Sequence, residues 1–220
     1  MPELTKKTFS YRLFRFVFGL FFRVWFRLKV FHRGRVPKTG GVILASNHVC
    51  YFDPVFVVSS LERMVVGLAR ETAFKSPING FLLRSWRMIP VDQSGSGRGL
   101  KTFLSRLRGG DAVIMYPEGT RSPTGQIQAP QPGIGLIIIK SEEPVVPIKI
   151  FGAYEAYGRH IWVPRPYEVQ IKFGEPLDFA ELRAEAKQTK SKERLKEIYK
   201  KAATDLLHMI AQIEPGQDQN

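Results

Sequence analysis

Two short polar segments of the 220-residue chain carry residue types whose spacing could do chemistry. Residues 46–53 contain His48 and, five residues later, Asp53. Further along the chain, residues 116–122 contain Arg121 close to a glutamate. A histidine beside a carboxylate can serve as a general base, and an arginine can bind an anion. Together these parts could transfer a group onto a phosphorylated alcohol.

His48 is the predicted general base. An alcohol attacks a thioester slowly unless its proton is removed in the transition state, and a neutral imidazole suits that task at neutral pH. Asp53 could hold the imidazole in one tautomer and stabilise the imidazolium as it forms. Two plainer interpretations stand beside this one. His48 alone could be a buried structural histidine, and Asp53 before Pro54 fits a helix N-cap, a role compatible with catalysis.

Arg121 is the predicted ligand of a substrate phosphate, because a guanidinium presents paired donors that match phosphate oxygens. Gly119 lets the backbone approach a ligand closely, and Thr120 can add a hydroxyl donor. Glu118 cannot bind phosphate directly, so we expect it to orient Arg121 or to accept a hydrogen bond from a glycerol hydroxyl. The alternative is a surface turn with an ion pair, which contributes little stability.

An α/β fold would bring the two segments together. Each follows an apolar run typical of a buried strand, residues 42–45 in one case and 112–115 in the other. If these strands are parallel neighbours, both segments emerge at the carboxyl edge of one sheet, where α/β folds bind ligands. Strand-like runs lie at residues 42–46, 64–69, 86–91, 112–116, 145–151 and 168–174, and helical patterns lie at 54–62, 98–108 and 132–141. This alternation predicts an α/β fold with a largely parallel sheet flanked by helices, followed by a C-terminal helix.

The net charge of +13 is concentrated at the N terminus. Residues 1–40 hold ten Lys and Arg residues against one acid, Glu3. On a helical wheel, residues 9–31 separate arginines on one side from Phe, Leu and Trp side chains on the other. A helix of this kind lies in a membrane interface, and each cation adds about 1 kcal/mol of attraction to an anionic surface. The alternative is an amphipathic helix packed on its own domain.

This N-terminal segment is not expected to cross a membrane. Its longest apolar run, residues 16–22, would span ~10 Å as a helix against the ~30 Å of a hydrocarbon core. Arg23 and Arg27 also interrupt the region in which a signal peptide would stay apolar. The predicted organisation is a basic amphipathic membrane-binding segment at 1–38, a catalytic domain at 39–214 and a disordered tail at 215–220.

Four blocks of the sequence resemble those of the glycerophospholipid acyltransferases in order and spacing. They are Asn47-His48 with Asp53, then residues 89–92, residues 117–122 and residues 145–148. The likeness covers residues 40–177 and is greatest with the bacterial 1-acyl-sn-glycerol-3-phosphate acyltransferases. The resemblance implies a glycerol-3-phosphate acyltransferase-like fold and catalysis by His48 with Asp53. It also implies acceptor binding by Glu118, Gly119, Thr120 and Arg121.

The same resemblance implies a reaction. A fatty acyl group would pass from acyl-CoA or acyl carrier protein to the free hydroxyl of 1-acyl-sn-glycerol-3-phosphate, giving phosphatidic acid in phospholipid biosynthesis. No cofactor would be needed beyond the thioester co-substrate. The protein would bind anionic membrane lipids peripherally, at the cytoplasmic face of the cell membrane.

One departure from the family pattern leaves the acceptor open. The family's second block usually has an arginine after the aspartate, whereas Gln93 follows Asp92 here. Arg98 or Arg87 could supply the missing phosphate contact. The acceptor could therefore be another lysophospholipid or another phosphorylated alcohol.

Two other classes of function remain as alternatives. A sequence pI of about 10.0 fits a basic nucleic-acid-binding protein, but the basic residues cluster in one Phe-rich segment, and no RNP, helix-turn-helix or zinc-finger pattern is present. A catalytically idle lipid-binding module is disfavoured by the intact pair of His48 and Asp53. Four histidines without paired-cysteine spacing predict no zinc site. Cys50 is interpreted as a small buried residue rather than as a nucleophile.

Overall fold

The computed structural model describes residues 9–91 and 97–217. Within these residues the strands are β1 (Lys29–Phe31), β2 (Val42–Ser46), β3 (Val65–Arg70), β4 (Met88–Val91), β5 (Ala112–Met115), β6 (Val145–Phe151) and β7 (Gln170–Phe173). The α-helices are α1 (Phe9–Trp25), α2 (Asp53–Ser60), α3 (Pro77–Ser85), α4 (Arg98–Arg108), α5 (Ile134–Ser141), α6 (Ala153–Tyr157), α7 (Ala180–Gln188) and α8 (Lys192–Gln212). Two 3₁₀ turns lie at Arg33–Arg35 and Glu71–Phe74.

The seven strands form one sheet in the order β1-β7-β6-β2-β5-β3-β4. Every neighbouring pair is parallel except β6 with β7. This confirms the predicted α/β class, and the six strands and three helices expected from the sequence are present. The sequence reading missed β1, α3 and α6. These elements are short or lack a clear periodic pattern of apolar residues. Their secondary structure therefore depends on the elements that they pack against rather than on their own sequence.

Helices cover both faces of the sheet, and β2 shows why. All five of its residues are buried, as is typical of a parallel strand with apolar layers on both sides. Val42 and Leu44 belong to the core cluster that includes residues of α1, α2 and α6. Ile43 and Ala45 belong to the other cluster, with residues of α4, α5 and α8. The loop that follows β2 is therefore anchored by a strand that cannot shift without disturbing two cores.

The N-terminal segment is part of the same folded unit. Phe22 and Phe26 are fully buried, and the ring of Phe22 lies 4.4 Å from that of Phe56 in α2. Strand β1 pairs with β7 in the sheet. The predicted boundary at residues 38 and 39 therefore divides residues that share one sheet and one core. The free energy gained by burying these aromatic rings favours packing of the segment against the rest of the domain.

One side of α1 nevertheless stays outside the core. Its exposed apolar side chains are Leu13, Phe16, Val17, Leu20, Phe21, Val24 and Trp25. No helix among the described residues combines the length and the apolar character needed to pass through a bilayer. The helix therefore has two apolar sides, one packed on α2 and one facing outward. The helical wheel had predicted a single apolar side.

The C-terminal residues return to the sheet. Helix α8 ends at Gln212, close to the predicted stop. Beyond it, the backbone N–H of Gly216 donates to Oε1 of Gln170 in β7 at 3.1 Å. The expectation of disorder from residue 215 onward does not hold for Gly216, because this hydrogen bond ties it to a strand. Residues 218–220 of the predicted tail lie outside the described residues.

Candidate active site

The two polar segments meet at one edge of the sheet. Strands β2 and β5 are parallel neighbours with Ala45 opposite Met115, so both segments leave the sheet side by side. The N–H of Ser122 donates to the carbonyl of His48 at 2.7 Å, which joins the two segments directly. The two segments therefore meet at the carboxyl edge of the sheet, where α/β folds bind ligands.

Asp53 binds the imidazole of His48. Oδ2 of Asp53 lies 2.8 Å from Nδ1 of His48, and it also accepts from the backbone N–H groups of Val49 and Cys50 at 2.7 and 2.8 Å. Three donors converging on one carboxylate oxygen require that Nδ1 carry its proton. Nε2 is then the unprotonated nitrogen, available to accept a proton from a substrate. Asp53 is fully buried, whereas His48 keeps partial access to the crevice.

The position of Asp53 differs from the plain N-cap interpretation. Helix α2 begins at Asp53 itself, and Phe52 occupies the N-cap position without a side-chain hydrogen bond. The carboxylate turns back into the loop that carries His48 instead of capping the first turn of the helix. Because its Oδ2 is saturated by loop donors, the aspartate serves to shape this loop and orient the imidazole.

Tyr116 supports the imidazole from its face, and the sequence reading did not single it out. Its ring stacks on that of His48 with 4.0 Å between centroids and 22° between the planes. Its hydroxyl is buried and has no hydrogen-bond partner among the described residues. Burial, followed by the nearby charge of Asp53, raises the pKa of Tyr116 well above its ordinary value. Its position in the sequence could have pointed to this role, because Tyr116 directly follows Met115, the last residue of β5 that is paired with β2.

Glu118 joins the two segments instead of contacting Arg121. The N–H of His48 donates to Oε1 of Glu118 at 2.8 Å, and the N–H of Gln128 donates to Oε2 at 3.0 Å. The side chain is almost fully buried, and burial raises the pKa of the carboxyl group despite these two hydrogen bonds. Glu118 therefore fixes the backbone of His48, the predicted general base.

Gly119 allows the sharp turn after Glu118. Its φ is 70°, in the left-handed region that favours glycine, and a Cβ there would lie 2.5 Å from Cγ of Gln131. Gln131 in turn donates from Nε2 to the carbonyl of Glu118 at 3.2 Å. Thr120 follows on the exposed side of the turn. The glycine is thus needed for the turn and for the close approach of Gln131.

Arg121 lies against an aromatic ring at the mouth of the crevice. Its guanidinium carbon is 3.4 Å from the ring centroid of Tyr51. One of its terminal nitrogens, Nη1, is buried and has no hydrogen-bond partner among the described residues. An unsatisfied buried guanidinium nitrogen is costly unless an anion completes it. Tyr51, which lies in the loop between His48 and Asp53, thereby places the predicted phosphate ligand close to the predicted base.

Asn47 fixes the start of the catalytic loop, a role that sequence reasoning did not assign. Its Nδ2 donates to the carbonyl of Ile150 at 3.0 Å, and its Oδ1 accepts from the N–H of Ile150 at 2.8 Å. This pair of bonds replaces a strand contact just where β2 ends beside β6. The amide of asparagine is the side chain that supplies one donor and one acceptor at this reach.

The two proposed substitutes for the family arginine lie in different places. Arg98 opens α4, which follows β4, and β4 ends at the same edge of the sheet as β2. Arg87 directly precedes β4 and therefore lies at the opposite edge, so it cannot contact a ligand at His48. Asp92 and Gln93 lie outside the described residues. Arg98 remains a prediction as an additional phosphate contact.

Cys50 is fully buried, as predicted. Its Sγ accepts from the N–H of Phe52 at 3.2 Å, and burial raises the pKa of the thiol. A thiol held in this state is a poor nucleophile. Within residues 9–91 and 97–217, no group of three or more His, Cys, Asp or Glu side chains is arranged to hold a metal ion.

These features define an α/β protein in which a histidine oriented by a carboxylate and an arginine with an unsatisfied nitrogen lie at one edge of the sheet. A protein-family model described as "Acyltransferase" matches residues 27–151. The chain therefore belongs to the acyltransferase family.

Named relatives agree with this membership. The chain is 26% identical over 140 residues to a 1-acyl-sn-glycerol-3-phosphate acyltransferase of Limnanthes alba, covering 62% of this chain and 50% of the relative. It is 28% identical over 143 residues to the enzyme of that name from Pseudomonas aeruginosa, covering 63% of this chain and 54% of the relative. The chain thus spans about half the length of the curated relatives it matches.

The fold also has a counterpart among solved structures. It superposes with a TM-score of 0.66 on the crystal structure of the 1-acyl-sn-glycerophosphate (LPA) acyltransferase PlsC from Thermotoga maritima. The identity is 23%, and the match covers 93% of this chain and 81% of that one. At this identity the likeness establishes a shared fold.

Proposed function

We propose that this protein transfers a fatty acyl group from an acyl thioester to the free hydroxyl of 1-acyl-sn-glycerol-3-phosphate, giving phosphatidic acid. The observation that carries the proposal is the 2.8 Å contact between Nδ1 of His48 and the buried carboxylate of Asp53. It leaves Nε2 free to accept a proton beside an arginine with an unsatisfied nitrogen. The names of the relatives in Limnanthes alba and Pseudomonas aeruginosa support this choice of acceptor.

The proposed chemistry needs one proton acceptor and one anion ligand. Nε2 of His48 takes the hydroxyl proton while the acceptor oxygen attacks the thioester carbonyl. Asp53 stabilises the imidazolium that forms. The tetrahedral intermediate then collapses, the carbon–sulfur bond breaks, and the imidazolium returns the proton to the leaving sulfur. The products are the ester and a free thiol.

The acceptor phosphate is assigned to Arg121, with Thr120 available to add a hydroxyl donor. The guanidinium of Arg121 stacks on the ring of Tyr51, and this contact limits the conformational freedom of the arginine side chain before a ligand binds. A different lysophospholipid with an exposed phosphate group would use the same contacts. The variant in which the acceptor is another phosphorylated alcohol therefore belongs to the same proposal.

The proposal includes peripheral binding to a membrane by α1, at the cytoplasmic face of the cell membrane. The outward side of the helix carries Phe16 and Val24, which are 70% and 71% exposed. Exposed cations on the same helix, Arg12 and Arg23, fit an anionic lipid surface. Such a position would give the enzyme access to an acceptor whose acyl chain is held in the bilayer.

A direct assay tests the proposed function. Purified protein is incubated with a panel of lysophospholipids and either acyl-CoA or acyl carrier protein as donor, and the products are identified by mass spectrometry. We expect phosphatidic acid from lysophosphatidic acid with at least one donor. No ester product from any acceptor would overturn the proposal. Retention on DNA-cellulose without flotation on anionic vesicles would favour the nucleic-acid-binding alternative.

A further inference from the structure

The segment between α6 and β7 presents two large apolar side chains to solvent. Trp162 is 95% exposed and Val163 is 73% exposed, the highest values among the large apolar residues of the described chain. Arg159 and Arg165 flank them and are also exposed. Nothing among the described residues covers this pair, and exposure of this kind can mark a contact with a partner outside the chain.

The exposure is built into the fold. The N–H of Arg165 donates to the carbonyl of Ala156 at 2.8 Å, which closes the base of the loop. Ile161, directly before the tryptophan, is only 5% exposed and anchors the loop in the core. Its N–H donates to the carbonyl of Gly158 at 3.0 Å. The loop is therefore fixed at both ends, and its apolar tip is held outward.

The loop lies at the catalytic edge and touches the acceptor-binding segment. Helix α6 follows β6, whose carboxyl end is on the same edge as that of β2. Nη1 of Arg159 donates to the carbonyl of Arg121 at 3.2 Å. The hydroxyl of Tyr154 in α6 donates to the carbonyl of Pro123 at 2.8 Å. The exposed tip is thus linked to the backbone of the proposed phosphate ligand.

The loop is also continuous with the end of α1. The N–H of Val169 donates to the carbonyl of Phe26 at 3.0 Å. The ring of Tyr157 lies 5.0 Å from that of Phe52, which in turn lies 5.6 Å from Phe22 of α1. The last residue of the helix, Trp25, is itself 42% exposed. Trp25 precedes β1 and Trp162 precedes β7, two strands whose first residues are paired beside the carboxyl end of β6, so both tryptophans come from segments at that edge of the sheet.

We propose that residues 159–167 form a second membrane-contacting loop, which inserts Trp162 and Val163 into an anionic phospholipid surface. Two side chains are too few for a stable protein interface, but a tryptophan between arginines suits the boundary between lipid headgroups and acyl chains. Together with α1, the loop turns the catalytic edge toward the bilayer that holds the acceptor. This inference deepens the proposed function and rests on it for the identity of the membrane-held acceptor.

Tryptophan fluorescence tests the inference, because the chain has only three tryptophans. The Trp25→Phe variant retains Trp162 and the buried Trp86, whereas the Trp25→Phe/Trp162→Phe variant retains Trp86 alone as the matched control. Each variant is bound to vesicles of phosphatidylglycerol and phosphatidylcholine with brominated acyl chains, and sedimentation confirms the bound fraction. We expect strong quenching in the first variant and little in the control. Equal quenching in both, or no vesicle binding, would overturn the proposal.

A double substitution links the loop to catalysis. Trp162→Ser/Val163→Ser should weaken partitioning onto these vesicles by at least about tenfold, since the burial of two apolar side chains is lost. Transfer to a vesicle-embedded acceptor should fall by a similar factor, while transfer to a monomeric short-chain acceptor should stay within about twofold. Loss of both activities in a folded variant would mean that the loop supports the site itself. Absence of any transfer in the unsubstituted protein would count against the proposed function instead.

Discussion

The ring of Tyr116 stacks on the imidazole of His48 at a centroid distance of 4.0 Å. Asp53 holds the same imidazole by one ring nitrogen at 2.8 Å. The base is therefore supported on one face by an apolar surface and on one edge by a carboxylate. Two contacts in different directions restrict both the rotation and the tilt of the ring, which favours a preorganised site.

Separate substitutions distinguish the ring of Tyr116 from its hydroxyl. Tyr116→Phe keeps the stacked surface and removes a buried hydroxyl without a partner among the described residues, so activity should stay near normal. Stability should be unchanged or raised by about 1 kcal/mol. Tyr116→Leu should lower kcat by about ten- to a hundredfold through misplacement of the base. Steady-state kinetics and thermal unfolding of both variants check this, and equal kcat values would show that stacking is unimportant.

Removal of the general base should abolish transfer without unfolding the protein. His48→Ala is expected to lower the rate by about 10²–10⁴-fold. Asp53→Asn should also be severe, because a neutral amide cannot hold the imidazole tautomer as firmly or stabilise the imidazolium as the carboxylate does. Initial rates are compared with circular dichroism as the control for folding. Near-normal turnover in folded His48→Ala protein would rule out the mechanism.

Arg121 should affect the acceptor more than the donor. Arg121→Ala removes a charge-assisted contact worth about 1.5–3 kcal/mol, so the KM for a phosphorylated acceptor should rise by about 10- to 150-fold. The KM for the acyl donor, measured in the same assay, serves as the internal control. Tyr51→Leu should produce a smaller rise, since it removes only the support beneath the guanidinium. A rise confined to the donor would mean that the two sites are assigned the wrong way round.

The burial of Glu118 gives a pH-dependent signature. Its pKa is raised above the ordinary 4.5, with burial as the largest cause, so the folded protein binds this proton more tightly than the unfolded chain does. The stability that this proton contributes is lost as the pH rises above the ordinary value and through the raised one. Glu118→Gln removes the titration at this position.

Unfolding free energies of the wild type and of Glu118→Gln are compared from pH 4 to pH 7. As the pH rises, the wild type should lose stability relative to Glu118→Gln. A constant difference would mean that the hydrogen bonds from His48 and Gln128 offset the cost of burial. A gain in stability of the wild type relative to the variant as the pH rises would mean that these hydrogen bonds outweigh the cost of burial.

The two apolar sides of α1 should respond differently to the same charge. Phe16→Glu changes a side chain that is 70% exposed, so it should weaken binding to anionic vesicles and leave folding intact. Phe22→Glu places a carboxylate in the core and should destabilise the protein by several kcal/mol, as expected for an unpaired buried charge. Flotation and thermal unfolding separate the two effects. Unchanged flotation of Phe16→Glu would show that this side of the helix does not contact lipid.

Salt provides a further test of α1. Its arginines supply an attraction that is screened over ~8 Å at physiological ionic strength, whereas apolar burial is not screened. High salt should therefore weaken the binding of the full chain only in part. Trp25→Glu should reduce binding more than Arg23→Gln does. Complete release by salt alone would identify the helix as a purely electrostatic tether.

Much of the fold and site follows from local sequence patterns. Continuous apolar runs predict β2 and β5, and the polar segments directly after them are predicted to meet at one edge of the sheet. The structure confirms the two strands and the contact between the segments, because strand burial depends on short, regular stretches of chain. The roles of His48 and Arg121 stay predictions. The contact between Asp53 and the imidazole of His48 could likewise be predicted, since only a short loop separates the two residues.

Only the tertiary structure decided how side chains from distant parts of the chain meet. The sequence predicts that Glu118 orients Arg121 or accepts a hydrogen bond from a glycerol hydroxyl, whereas in the structure it binds the backbone of His48. The sequence also does not single out Tyr51 and Tyr116, which lie against Arg121 and His48. The predicted boundary at residues 38 and 39 places α1 outside the catalytic domain, although Phe22 of α1 lies in the core. Periodicity shows which residues of a helix are apolar. Which of them are covered depends on packing partners far away in sequence, and no local pattern encodes those partners.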